Sequence, residues 1–161
     1  MQYKSIESKI RVCVPDELDK ELQILVERAK EEVYKSYAPY SHFCVGAAVL
    51  LENGTIVTGN NQENIAFPSG LCAERVALFY AHSQYPDVPV KAIAVAAYTD
   101  GRFLEEPVTP CGACRQVMRE SEVRFEKEVM LLLYGTKYIY QIDNIKTLLP
   151  LSFEMTCVPH Q

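Results

Sequence analysis

The sequence predicts an α/β protein, a three-layer α/β/α sandwich around a central mixed sheet of five strands. Three observations carry that reading. Helix-period and strand-period segments follow one another in the order α-β-β-α-β-α-β-β-α along 161 residues, a length for one domain rather than two. The stretches Val90–Thr99 and 128–134 are almost wholly apolar, as expected of strands covered on both faces by helices. Asn53-Gly54 stands between two β-rich runs, a hairpin signal that puts an antiparallel pair into the sheet.

Each element has its own justification. Residues 1–14 read as a mixed leader with a strand over 9–14, ahead of a single catalytic-sized domain over 15–161. Pro15 suits a first helical turn. From there Leu18, Leu22, Leu25, Val26, Ala29 and Val33 recur at three- and four-residue steps and mark one buried helix face. Asp16, Glu17, Asp19 and Glu21 lie near its start, where the helix dipole favours negative charge, and Pro39 lies beyond its end. A strand over Cys44–Leu51 and another over 56–58 flank the turn 52–55. Residues 59–71, with Pro68 and Gly70, read as an irregular loop. A second helix is expected over 72–82, then the strand Val90–Thr99, a turn at Asp100-Gly101 and a loop over 107–110. A third helix over 111–121, strands over 128–134 and 138–142 and a short helix over 144–149 complete the pattern.

Composition excludes several classes of function. Hydrophobic residues make up 48% and charged residues 23%, values of a globular chain and not of a disordered or collagen-like one. The longest apolar runs, 45–51 and 92–98, are seven residues each, whereas a membrane helix needs about 20. The first residues carry no apolar signal-peptide stretch, so the expected compartment is the cytoplasm. Lys plus Arg number 16 against 21 Asp plus Glu, a net charge of −5 with no basic run, which argues against a nucleic-acid partner. Six cysteines in a reducing compartment point to metal ligands or reactive thiols rather than three disulfides.

Two expected helix starts hold the unusual residues. One reads Cys72-Ala73-Glu74-Arg75, the other Pro110-Cys111-Gly112-Ala113-Cys114-Arg115. Cysteines three apart at a helix start can turn both sulfurs to one point, and Cys72 can supply a third. At helix N-termini the dipole and free N–H groups favour the thiolate, the form that binds metal. Three protein ligands leave a fourth tetrahedral position for water, whose pKa falls toward about 7 on zinc. Three thiolates on Zn²⁺ leave a local charge of −1, which Arg75 and Arg115 are placed in sequence to offset. Glu74 can act as general base and then general acid. Other readings stand beside this one. Cys111-x-x-Cys114 alone fits a redox pair, and Cys44 or Cys157 can complete a closed, purely structural zinc site in a non-catalytic binding module. An acidic residue in a first helical turn is often a dipole partner only.

Taken together, Cys72-Ala73-Glu74 and Pro110-Cys111-Gly112-Ala113-Cys114 resemble the zinc-dependent nucleobase deaminases. With Cys as first ligand, the chain resembles the small, tetrameric cytidine deaminases. Three further segments fit: residues 37–48, with Tyr40-Ser41-His42-Phe43 before Val45-Gly46-Ala47; Asn61-Gln62-Glu63-Asn64; and Leu148-Leu149-Pro150-Leu151-Ser152-Phe153. The likeness runs from about 15 to 153. It implies a cytidine deaminase-like fold, one zinc per chain on Cys72, Cys111 and Cys114, and Glu74 shuttling protons between a zinc-bound water, ring N3 and departing ammonia. It further implies that Phe43 stacks on the pyrimidine, that Asn61 and Glu63 bind the ribose hydroxyls, and that Ala73 contributes to substrate binding. Arg75 would temper the thiolates. Phe153 would reach into a neighbouring subunit's site, so the resemblance implies a homotetramer with sites near its interfaces.

The implied reaction is hydrolytic deamination of cytidine and 2′-deoxycytidine in pyrimidine salvage. The rival within the superfamily is a blasticidin-type deaminase of another aminated nucleoside, against which Asn61-x-Glu63 is the discriminating feature. Tyr40 and Phe67 read as core or pocket wall, and His42 and His82 as structural or surface residues. Cys44 and Asn60 stand where the family often has Pro and Cys. The tail after Phe153 lacks the usual Gly-Pro.

Overall fold

The computed structural model of the chain describes residues 1–154. Its centre is a mixed sheet whose strands are apolar on both faces. In β2 (Cys44–Leu51), Ala47, Val49 and Leu51 join one core, while Ala48 and Leu50 join the other. The same alternation runs through β4 (Val90–Thr99), with Ile93 and Val95 against Ala92, Ala94 and Ala96. It continues in β6 (Met130–Tyr134), where Leu131 and Leu133 oppose Leu132. A period of two with both sets buried requires a layer on each side.

Those layers are helical. On one face α1 (Lys20–Glu32) presents Leu22, Leu25, Val26 and Ala29. On the other, α2 (Ala73–Gln84) presents Ala73, Ala77, Leu78 and Ala81, and α3 (Gly112–Phe125) presents Cys114 and Met118. This is the expected three-layer sandwich. The face toward α1 is lined by small alanines and by Gly46, so α1 comes in close. A Cβ on Gly46 would lie 2.1 Å from the Ala29 carbonyl oxygen.

The five expected strands are β2, β3 (Ile56–Asn60), β4, β6 and β7 (Ile139–Ile142). Two short strands bring the sheet to seven: β1 (Arg11–Cys13) at the β7 edge, and β5 (Arg102–Phe103) on the end of β4. The path is β1-β7-β6-β4-β2-β3. Only β4 and β6 run parallel, joined through α3; the other neighbours are antiparallel. Asp100 and Gly101 both take positive φ, 50° and 77°, the turn that a two-residue hairpin between β4 and β5 demands. The leader is thus part of the sheet, with Cys13 buried beside the α1 core.

The helix ends differ from the sequence reading. Pro15–Glu17 forms a separate 3₁₀ turn, closed by the Glu17 carboxylate accepting from the Val14 N–H at 2.9 Å; an extended Leu18 then separates it from α1. Helix α3 runs on to Phe125, ended by Glu126 in the left-handed region. The last expected helix is a 3₁₀ turn at Ile145–Thr147, capped by the Asn144 side chain.

Candidate active site

Two helices start at cysteine on the same side of the sheet. Cys72 immediately precedes α2 and Cys111 immediately precedes α3, both with extended backbone; Cys114 is the third residue of α3. The sulfurs of Cys72 and Cys111 are 3.9 Å apart, those of Cys111 and Cys114 are 3.5 Å apart, and all three lie within 4.8 Å of one another. Two helix N-termini converge on this point, so their dipoles add to the stabilisation of negative sulfur. Hydrogen bonding from the Cys114 thiol, then from the Arg75 guanidinium, pulls Cys72 down to about 5. Cys114, on the other side of that bond and buried, is pushed up. Three sulfurs this close together suit the soft, tetrahedral demand of Zn²⁺, and Cys72 and Cys111 also line the cleft in front of them.

Glu74 is the second residue of α2, in its first turn, and is only 4% exposed. Burial pushes its carboxyl above the ordinary range, and the nearby Cys72 sulfur adds to the effect. Arg75 turns back toward the sulfurs, its guanidinium 3.7 Å from Cys72 Sγ. Its Nε is buried without a hydrogen-bond partner among the described residues. Arg115 corrects the sequence reading. One residue past Cys114, the helix carries it about 100° around the axis. Its guanidinium donates to the carbonyls of Pro110 (2.8 Å) and Leu148 (3.0 Å), tying the 110 loop to the closing segment instead of offsetting thiolate charge.

In front of the sulfurs lies a cleft of about 440 Å³. Phe43, Val45, Asn61, Glu63, Cys72, Glu74 and Cys111 all line it. Ser41, Val95, Val108 and Thr109 line it as well, and the sequence reading missed them. Val95 and Val108 carry no chemical signal, since ordinary apolar residues enter the wall only through topology. Thr109 stands beside the Pro110-Cys111 motif, and that proximity is the one clue available.

Asn61 and Glu63 are already employed in holding the loop that carries Phe43. Asn61 Oδ1 accepts from the Val45 N–H (2.8 Å) while its Nδ2 donates to the Phe43 carbonyl (2.9 Å). The Glu63 carboxylate accepts from the Tyr40 N–H (2.9 Å) and from the Ser41 hydroxyl (2.5 Å). These donors hold Glu63 below the usual carboxylate range, Ser41 contributing most. The second Nδ2 hydrogen of Asn61 and the remaining lone pairs of both side chains are left over for a ligand.

Tyr40 and Phe67 meet edge to face, centroids 6.0 Å apart, in the wall of an adjoining recess of about 290 Å³. His42 is an exposed turn residue with φ 57°, and His82 stacks on Phe125. Ala73 is fully buried as the first residue of α2. Phe153 is 76% exposed and outside the cleft of its own chain, with its carbonyl held by Gln116 Nε2 at 2.9 Å. A four-cysteine site through Cys44 is ruled out by placement. Cys44 packs into the core on the α1 face, whereas Cys72 and Cys114 belong to the α2/α3 face. Cys157 lies outside the described residues.

Residues 19–131 match the family model described as the cytidine and deoxycytidylate deaminase zinc-binding region. The chain is 47% identical over 98 residues to a cytidine deaminase of Halalkalibacterium halodurans, covering 61% of this chain and 70% of that one. It is 47% identical over 100 residues to a cytidine deaminase of Sporosarcina psychrophila, covering 62% and 69%. Among solved structures it is similar to the cytidine deaminase of Burkholderia pseudomallei, with a TM-score of 0.68 and 39% identity over 81% of this chain and 97% of that one.

Proposed function

The chain belongs to the cytidine and deoxycytidylate deaminase zinc-binding family, and from that premise we propose that it hydrolyses cytidine and 2′-deoxycytidine to the corresponding uridines with release of ammonia. It is then a hydrolase acting on the C–N bond of a cyclic amidine. The observation that carries the reading is the convergence of three sulfurs and one buried carboxyl, Glu74, on a single cleft.

Cys72, Cys111 and Cys114 would hold one zinc ion per chain, which when bound supplies an activated water for attack at ring C4. Glu74 does the proton work. It takes a proton from the attacking water, delivers it to ring N3, and later carries a proton to the amino group so that the C4–N bond breaks with ammonia leaving neutral. Its burial suits this task, because a carboxyl raised above the ordinary range holds a proton more readily than an exposed one and so both accepts and returns it more easily. Arg75 keeps the sulfur cluster from accumulating negative charge. Phe43 offers a flat face to the base. Ala73, the first residue of α2, has a backbone N–H without a partner inside the helix, which would serve a ring carbonyl. Asn61 and Glu63 take the sugar hydroxyls with their remaining hydrogen-bonding capacity. Glu63 also repels a 5′-phosphate, which favours nucleosides over nucleotides.

The reading extends to a homotetramer. Ile65, Phe67 and Phe153, 80%, 75% and 76% exposed, are apolar side chains available to a neighbouring subunit, and Phe153 would enter that neighbour's site. It extends also to the cytoplasm, where thiols stay reduced.

The test is loss of cytidine absorbance by purified protein, with zinc content and solution mass measured in parallel. Turnover with one zinc per chain and a mass about four times 18.2 kDa is the expected result. Bound zinc with no turnover of cytidine or deoxycytidine overturns the substrate assignment, and a monomer overturns the role given to Phe153.

A further inference from the structure

Glu32 is a buried carboxylate that the chemistry above does not use. It is the last residue of α1 and is 5% exposed. Three donors fill its oxygens. Oε1 accepts from Lys35 Nζ at 2.6 Å and Thr58 Oγ1 at 3.0 Å, and Oε2 accepts from Asn60 Nδ2 at 2.9 Å. Thr58 and Asn60 are alternate residues of β3, so both look toward α1. The approach is close because Asn60 pairs across the hairpin with Gly46, where a Cβ would lie 2.9 Å from Glu32 Cβ.

The contact continues along the chain. Asn60 Oδ1 accepts from Gln62 Nε2 at 2.5 Å. Asn60 and Gln62 are therefore tied on one side of segment 60–63, while the residues between and after them, Asn61 and Glu63, line the cleft. A carboxylate out of water demands its full set of donors, so it holds them to fixed positions instead of letting them drift. Glu32 lies on the α1 face and the sulfur cluster on the α2/α3 face, so the two are held by separate cores.

We propose that Glu32 is a positioning residue for nucleoside recognition: by fixing Asn60, and through it Gln62, it sets the spacing of Asn61 and Glu63 that two sugar hydroxyls require. This rests on the assignment of Asn61 and Glu63 to the sugar. Glu32 itself touches no substrate, and its removal acts on binding rather than on the chemical step.

The test uses the full, zinc-loaded chain and four variants: Glu32→Gln, Asn60→Ala, Asn61→Ala and the double variant Glu32→Gln/Asn61→Ala. Steady-state kinetics with cytidine are read beside zinc content and thermal midpoint. Glu32→Gln keeps the side chain's size but replaces one acceptor oxygen by a donor, so it cannot serve three donors. It is expected to raise KM about tenfold, a mid-range effect for coupled neighbours, with kcat within about threefold and zinc unchanged. Asn60→Ala, which cuts the link while leaving Glu32 with Lys35 and Thr58, gives the same split. The double variant is worse than Asn61→Ala by clearly less than the Glu32→Gln effect alone, because part of what Glu32 holds is Asn61 itself. If Asn61→Ala raises KM while Glu32→Gln and Asn60→Ala lower only the thermal midpoint, the positioning role is overturned and the sugar assignment stands. Multiplicative effects in the double variant overturn it as well. An unchanged KM in Asn61→Ala overturns the sugar assignment, and this inference with it.

Discussion

Glu74 and Glu32 are buried to nearly the same depth, 4% and 5% exposed, one at the start of α2 and the other at the end of α1. Burial is the largest influence on both and pushes both carboxyls upward. At Glu74 that push prevails, with the Cys72 sulfur reinforcing it. At Glu32 hydrogen bonds from Lys35, Asn60 and Thr58 outweigh it, and the carboxyl ends below its ordinary value. Depth of burial therefore does not separate the carboxyl proposed to carry protons from the one proposed to hold its neighbours in place; the supply of donors does. A group with all its lone pairs filled stays ionised and fixed, whereas one left short of donors keeps an affinity for protons that catalysis can use.

The largest effect that tests this contrast is Glu74→Gln. The amide occupies the same volume but cannot take up or release a proton, so turnover should fall at least by the roughly 10²–10⁴-fold that acid–base catalysis supplies. Zinc content should stay at one per chain, and the thermal midpoint should hold or rise, since the fold loses a carboxyl it serves poorly. Near-normal turnover would remove Glu74 from the chemistry and dissolve the contrast.

A third buried glutamate sharpens it. Glu122, on α3, is 3% exposed, and its Oε1 accepts from the N–H groups of Val129 (3.0 Å) and Ile145 (2.8 Å). Its Oε2 accepts from Arg119 at 2.7 Å. Like Glu32 it is fully supplied, so its loss should act on the fold. Glu122→Ala leaves two backbone donors without an acceptor and Arg119 with Glu154 as its remaining carboxylate, and should cost about 3 kcal/mol in urea unfolding. A loss of turnover with stability intact would place Glu122 with Glu74 instead.

How far the sequence discloses these sites follows from how local each one is. Cys72-x-Glu74 and Cys111-x-x-Cys114 are legible because each pair is set by one helix start, and the Asn53-Gly54 turn because Gly54 needs only its own φ of 83°. Arg115 was misplaced because adjacency in sequence is not adjacency on a helix. The strand β5, two residues long, is too short to show a period, whereas β1 falls inside the strand expected over 9–14. Glu32 was invisible for a different reason. Its donors Thr58 and Asn60 arrive from another layer, and only the register Gly46↔Asn60 brings them under α1. A charged residue at the end of an amphipathic helix reads as solvated until that register is known.

The smallest expected effect separates Glu32 by its acid dependence. Its carboxyl lies below the ordinary value in the folded protein, with burial opposed and outweighed by Lys35, Asn60 and Thr58. In the unfolded chain it returns to about 4.3. The folded form thus binds its proton less readily than the unfolded form. The stability this contributes is complete above about pH 4.3 and is lost as pH falls through the lower, folded value. Glu32→Gln has no such proton to take up. Across that acid window the wild type should therefore lose stability more steeply than the variant, and the gap between them should narrow as pH falls. Acid also strips metal from thiolates, but it does so in both proteins, so their difference isolates the one carboxyl. Parallel unfolding midpoints from pH 7 down to well below the unfolded value of about 4.3 read the effect directly. A gap that stays constant would mean that Glu32 is not held ionised by its three donors, and the contrast with Glu74 would then rest on position alone.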